Sequence, residues 1–175
     1  MMSAPGPPRE KGSPLWRQLL SILLLPTTVV IVVPLWLRSA LADLDTEWTG
    51  TSLALAGRVT GVIMFVTGLV LFSWCIVLFA KVGRGTLAPW DPTKRLVAVG
   101  PYRHVRNPMI SAVAAMLIGE AVFLGSAVLA GWSVVFIMIN HAYFLLSEEP
   151  GLEKRFGSAY LEYKRQVPRW MPRIS

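Results

Sequence analysis

Cysteine occurs once and histidine twice in the 175 residues, and that scarcity removes several kinds of function at once. A single Cys75, set inside an apolar run, allows no internal disulfide and no thiolate metal site, and reads as a small packing residue. His104 and His141 are the only histidines, and no His/Cys group has the ligand spacing of a zinc centre. No Ser–His–Asp arrangement stands out either. Charged residues make up only 15% of the chain, too few for an ordinary soluble domain of this length.

What is present explains the shortage of charge. The composition is 54% hydrophobic with a mean hydropathy of +0.53, and several apolar runs approach twenty residues. These features indicate one integral membrane domain, whose helices bury their apolar faces in lipid and against one another. A net charge of +7 could suggest a nucleic-acid partner. The Lys and Arg residues flank the apolar runs instead of lining a polar face, so the expected partner is anionic lipid headgroups, not nucleic acid.

Residues 1–18, rich in Pro and polar groups, are expected to form a disordered cytoplasmic tail ahead of a membrane domain at 19–175. The first expected span is residues 19–37, interrupted by Pro26 and Pro34. A basic start, an apolar run and Ala40-Leu41-Ala42 also resemble a signal peptide. The run is longer than such peptides carry, which favours a span. Residues 38–52 hold Asp43, Asp45 and Glu47 against Arg38 alone, an external-loop composition. The second span is residues 53–79, where Arg58 can snorkel outward and Gly57, Gly61 and Gly68 allow close helix approach.

The loop at 80–108 carries six Lys or Arg residues against Asp91, and the positive-inside rule makes it cytoplasmic. Residues 109–146 are too long for one span, and Leu124-Gly125-Ser126 divides them into spans at 109–123 and 127–146. The basic tail at 147–175 returns to the cytoplasm. The expected architecture is therefore all-α: four transmembrane helices, both termini cytoplasmic, and a pocket at the cytoplasmic interface.

The polar residues most able to carry chemistry sit at the two ends of that hairpin. Arg103, His104, Arg106 and Asn107 precede Pro108, and Glu148-Glu149 follow the second apolar half. The basic group alone would serve as an interfacial anchor, with Tyr102 in the aromatic belt. The glutamates are less easily dismissed. Neither anionic headgroups nor a helix C-terminus favours two carboxylates, so a specific cationic partner is expected, either Arg106 with its neighbours or a ligand. Asn140, His141, Phe144, Ser147 and Glu148 fall at helical spacing, with His141 and Glu148 on one face, and read as a pocket lining. Glu120 is expected near the outer turn within reach of water. Gly83-Arg84-Gly85-Thr86 is weak by itself, since two glycines in a loop are usually a turn.

Taken together these residues resemble a known family. Gly100-x-Tyr102-x-x-x-Arg106-Asn107-Pro108, the hairpin, and Glu148-Glu149-Pro150-x-Leu152 resemble the isoprenylcysteine carboxyl methyltransferase and phospholipid methyltransferase superfamily. Arg155-Phe156-Gly157-x-x-Tyr160-x-x-Tyr163, Val167-Pro168-Arg169-Trp170-x-Pro172, Gly83-x-Gly85-Thr86 and Pro89-x-Asp91-Pro92 are similar to its bacterial isoprenylcysteine-type members. The resemblance spans residues 80–172.

It implies an S-adenosylmethionine-dependent methyltransferase of a bacterial inner membrane, with a cytoplasm-facing site and a lipophilic acceptor, such as an isoprenylated-cysteine carboxylate or a lipid. Cofactor contacts are then expected from Gly83, Gly85, Thr86, Tyr102, Arg106, Asn107, Pro108, His141, Glu148 and Glu149, and catalytic contacts from Arg103, Arg106 and Asn107. The family's His falls on Asn107, its Tyr on Ile110 and its Gly on Ala112, so the acceptor is less constrained than the cofactor. The cofactor carries sulfonium, ammonium and carboxylate groups, which suits a site offering both charge signs. The competing expectation is an ion-coupled carrier using Glu120 and Arg58, and a third is an assembly subunit with no ligand.

Overall fold

The structure is a computed structural model that describes residues 24–45, 53–78, 81, 96 and 98–170. The expected tail at 1–18 and the loop residues Gly83, Gly85, Thr86, Pro89, Asp91 and Pro92 lie outside the described residues. Every regular element among the described residues is helical: α1 (Leu24–Ala40), α2 (Leu53–Leu78), α3 (Pro108–Leu124), α4 (Ala127–Phe156) and α5 (Ser158–Gln166). Short 3-10 turns occupy Ala42–Leu44 and Gly100–Arg103.

Two of these helices, α2 and α4, are long and apolar enough to cross a membrane. The 26 residues of α2 extend roughly 39 Å, more than a bilayer's hydrocarbon core. The apolar α1 and α3 are shorter, and the 17 residues of α3 reach only about 25 Å. On α2, Val62, Ile63, Val66, Leu69 and Val70 are exposed, an apolar surface with no protein partner, as a lipid-facing helix requires.

The central helix is α3, whose Ala112, Val113, Met116, Leu117 and Ala121 are buried. Lipid offers no hydrophobic gain for pressing helices together, so α2 and α3 associate by close backbone packing. A methyl group on Gly61 would lie 2.6 Å from the Gly119 carbonyl, and one on Gly68 would lie 2.6 Å from that of Ala112. Between α3 and α4, Gly125 turns the chain at φ 68°, a left-handed conformation that costs glycine nothing. The hairpin is as tight as its sequence implied.

Besides Pro26 and Pro108 in first turns, Pro34 and Pro150 lie within helices, and each of these two follows a π turn. In α1 the turn spans Thr28–Val32, and the Val33 amide bonds back to Thr28 O. The next donor in that register is Pro34, which has no N–H, so the Val29 carbonyl loses its helical partner. The Trp132 indole of α4 supplies one at 3.2 Å, tying α1 to α4. In α4 the turn spans Phe144–Glu148, with the Glu149 amide on Phe144 O and Pro150 following. This widened turn lets α4 pass Pro150 without breaking, so the helix continues to Phe156 instead of ending with the apolar residues at 146.

The α3–α4 turn is also pinned from outside. Asp45, just past α1, accepts hydrogen bonds from Ser126 Oγ at 2.6 Å and the Val128 amide at 3.1 Å, while Ser126 Oγ accepts from the Leu129 amide. Burial alone would raise the Asp45 pKa. The bonds from Ser126 and Val128, with Arg38 3.9 Å away, outweigh burial and hold it below the usual carboxylate value.

Candidate functional site

At the opposite end of the hairpin, the loop before α3 is fixed by its packing on α2. Gly100 adopts φ 59°, and a side chain there would strike Leu78 at 2.8 Å. Tyr102 is buried beside Cys75, against Leu71, Leu78 and Met109. Its carbonyl accepts from Tyr163 Oη of α5 at 2.7 Å. Burial comes first in pushing the Tyr102 hydroxyl above its ordinary range. Cys75, Tyr163 and the nearby Glu148 charge add to it. Pro108 is buried and opens α3 at a position where the missing N–H costs nothing.

This packing delivers Arg106 to Glu149. Arg106 Nη1 lies 2.9 Å from Glu149 Oε1, and both side chains are largely buried. The same oxygen accepts from Arg169 Nε at 2.8 Å and lies 2.7 Å from Arg169 Nη2. On the other oxygen, Lys164 stands 3.1 Å away and also reaches Glu153 at 2.6 Å. Those two carboxylates raise the Lys164 pKa, with the Glu153 bond contributing most.

The residues after α5 close the cluster. The Arg106 amide donates to Pro168 O at 2.9 Å. Trp170 Nε1 donates to His141 Nδ1 at 3.1 Å, and its ring packs on Phe144 with centroids 5.6 Å apart. His141 therefore presents an unprotonated Nδ1 to the indole.

Two premises of the sequence reading change here. Glu148 and Glu149 were expected at a helix C-terminus, but α4 runs on to Phe156, so they are mid-helix and the macrodipole no longer opposes them. His141 and Glu148 were expected to share a face. The extra residue of the π turn shifts the register, and it is His141 and Glu149 that meet the consecutive residues Trp170 and Arg169. Glu148 is half-buried and makes no hydrogen bond or ion pair among the described residues.

The structure thus brings Arg106, Asn107, Pro108, His141, Glu148 and Glu149 to one end of the α3–α4 hairpin. Asn107 stands at the start of α3, where its carbonyl accepts from both the amide and hydroxyl of Ser111, each at 3.1 Å. Arg103 and His104 are exposed and form no hydrogen bond or ion pair with Glu149. Lys164, Arg169 and Trp170 were not marked as site residues. Only the Val167-Pro168-Arg169-Trp170 pattern hinted at them. Glu120 lies near the far end of α3 with Oε2 buried and unpartnered, and it forms no ion pair with the exposed Arg58.

Two helices are long and apolar enough to cross a bilayer, and buried charge gathers at the open end of the apolar α3–α4 hairpin, features that suit a protein associated with a membrane. The phospholipid methyltransferase family matches residues 56–159, and the chain belongs to that family. It is accordingly a membrane methyltransferase of lipid-type substrates. No curated protein matches the chain.

Proposed function

We propose that the chain transfers a methyl group from S-adenosylmethionine to a lipophilic acceptor at the cytoplasmic face of a bacterial inner membrane. In this reading α1 to α4 are four spans and both termini are cytoplasmic. The observation that carries it is the meeting of Arg106 with Glu149, next to Glu148, at the open end of the hairpin, opposite the Gly125 turn.

The residues present fit the cofactor's charges. Arg106 Nε is a buried donor without a partner, suited to a carboxylate, and Glu148, unpaired among the described residues, is a carboxylate suited to an ammonium. In this reading Arg106, Asn107, His141 and the glutamate pair form the cofactor site, and Tyr102, Pro108, Gly83, Gly85 and Thr86 are its further residues. When bound, the cofactor supplies an electrophilic methyl group. The protein's own contribution is alignment, since holding acceptor and methyl carbon in line removes several kcal/mol of barrier.

The acceptor enters laterally between helices, and Arg103 or Arg106 orients an anionic group on it. An isoprenylated-cysteine carboxylate is the acceptor taken in this reading, and a carboxylate nucleophile is compatible with a site that supplies no general base. Calorimetry of S-adenosylhomocysteine with the purified chain tests the cofactor assignment, which absence of binding removes, and unchanged affinity in Glu148→Ala removes the glutamate from it. Lipid extracts incubated with labelled S-adenosylmethionine identify the acceptor. Methylated amine headgroups in place of methyl esters would replace the carboxylate reading.

A further inference from the structure

We propose that the adjacent glutamates do different work: Glu149 is a positioning residue that docks the 164–170 segment onto the start of α3, and Glu148 meets the cofactor's ammonium. This rests on the methyltransferase reading above and divides a pair that the sequence treats as one unit.

The division follows from hydrogen-bond capacity. A carboxylate accepts about four hydrogen bonds. Glu149 already has Arg106 and both Arg169 nitrogens within 2.9 Å of one oxygen, Lys164 3.1 Å from the other, and a side chain only 6% exposed. A ligand ammonium could reach it only by displacing one of these cations. Glu148 is half-buried with no partner among the described residues, and the Tyr102 hydroxyl feels its charge. A carboxylate withdrawn from water gains most from a cation brought by a ligand.

What Glu149 holds is equally specific. Lys164, Arg169 and Trp170 all lie beyond residue 159, where the family match ends. The segment is tied by the Pro168 carbonyl to Arg106, by Trp170 to His141, and by Tyr163 to Tyr102. Glu149 is the ionic centre of that docking, and through it Arg106 is held in place.

The test combines amide hydrogen exchange on the ligand-free full chain with calorimetry of S-adenosylhomocysteine. Glu149→Gln should speed exchange at the Arg106 amide, which donates to Pro168 O, and at the Val167 amide by tenfold or more, roughly the opening expected from one lost charge-assisted contact, whereas Glu148→Gln leaves it unchanged. Glu148→Gln should weaken S-adenosylhomocysteine by roughly tenfold or more, additively with Arg169→Ala. The losses from Glu149→Gln and Arg169→Ala should not add, since both release the same segment.

Weaker binding in Glu149→Gln with exchange unchanged overturns the positioning role, and wild-type affinity in Glu148→Gln overturns the ligand role. If Glu149→Gln does not fold, Arg169→Ala carries the exchange test. Absence of any binding by wild type removes the cofactor reading and with it the Glu148 half, while exchange still decides Glu149.

Discussion

Arg106 and Glu149 are forty-three residues apart in the chain and meet at 2.9 Å, joining the first turn before α3 to the interior of α4. The pair makes the hairpin a closed unit at its charged end. It also makes Glu149 the most exposed weakness of the fold, because three cations depend on one carboxylate.

Removing that carboxylate should be costly. Glu149→Ala leaves Arg106 and Arg169 without their counter-charge in a largely buried setting, and breaking such a pair typically costs about 3–5 kcal/mol. Glu153→Ala removes a half-exposed partner of Lys164 and should cost under about 1 kcal/mol. Chemical unfolding in detergent should rank the two variants in that order.

The helix contact between α2 and α3 should tolerate no side chain at its glycines. Gly119→Ala places a methyl 2.8 Å from the Gly61 carbonyl and the Phe65 amide nitrogen, and should destabilise by about 1–3 kcal/mol. Gly131→Ala, which meets nothing within 4 Å, should be neutral or slightly stabilising through helix propensity. Thermal unfolding midpoints separate the two.

Trp132 and Pro34 should be energetically coupled. Trp132→Phe removes the donor to Val29 O and should cost about 1 kcal/mol. In a Pro34→Ala background the backbone N–H is restored, so the same change should cost less. A double-mutant cycle of unfolding free energies measures the difference.

Asp45 gives the α3–α4 turn a defined response to acid. Its folded pKa lies below the ordinary 3.8, so the ionised form is favoured by folding. The stability it adds is fully present above the unfolded value and is lost as pH falls through the folded one. Asp45→Asn should therefore lose about 1 kcal/mol at neutral pH, as a lost helix cap does, and show a flatter decline below about pH 4. Unfolding in detergent from pH 6 to pH 2.5 checks both features.

Much of this was legible from local pattern. Gly125 and Ser126 marked the hairpin turn, Pro108 the start of α3, and the basic and acidic ends of the hairpin the place where charge would gather. What escaped was geometry that depends on distant partners. The reach of α4 past Pro150, and the face that Glu149 rather than Glu148 presents to Arg169, depend on a π turn that no residue pattern in 144–148 announces.

Hydropathy and charge order along the chain determined a helical membrane protein whose hairpin ends oppose in sign, because lipid admits only segments that satisfy their own backbone and expels charge to their ends. Only the folded structure decided which carboxylate is saturated, which has no partner among the described residues, and that residues 164–170 complete the cluster. Those outcomes turn on a one-residue shift of helical register and on contacts across more than forty residues of chain, neither of which local sequence encodes.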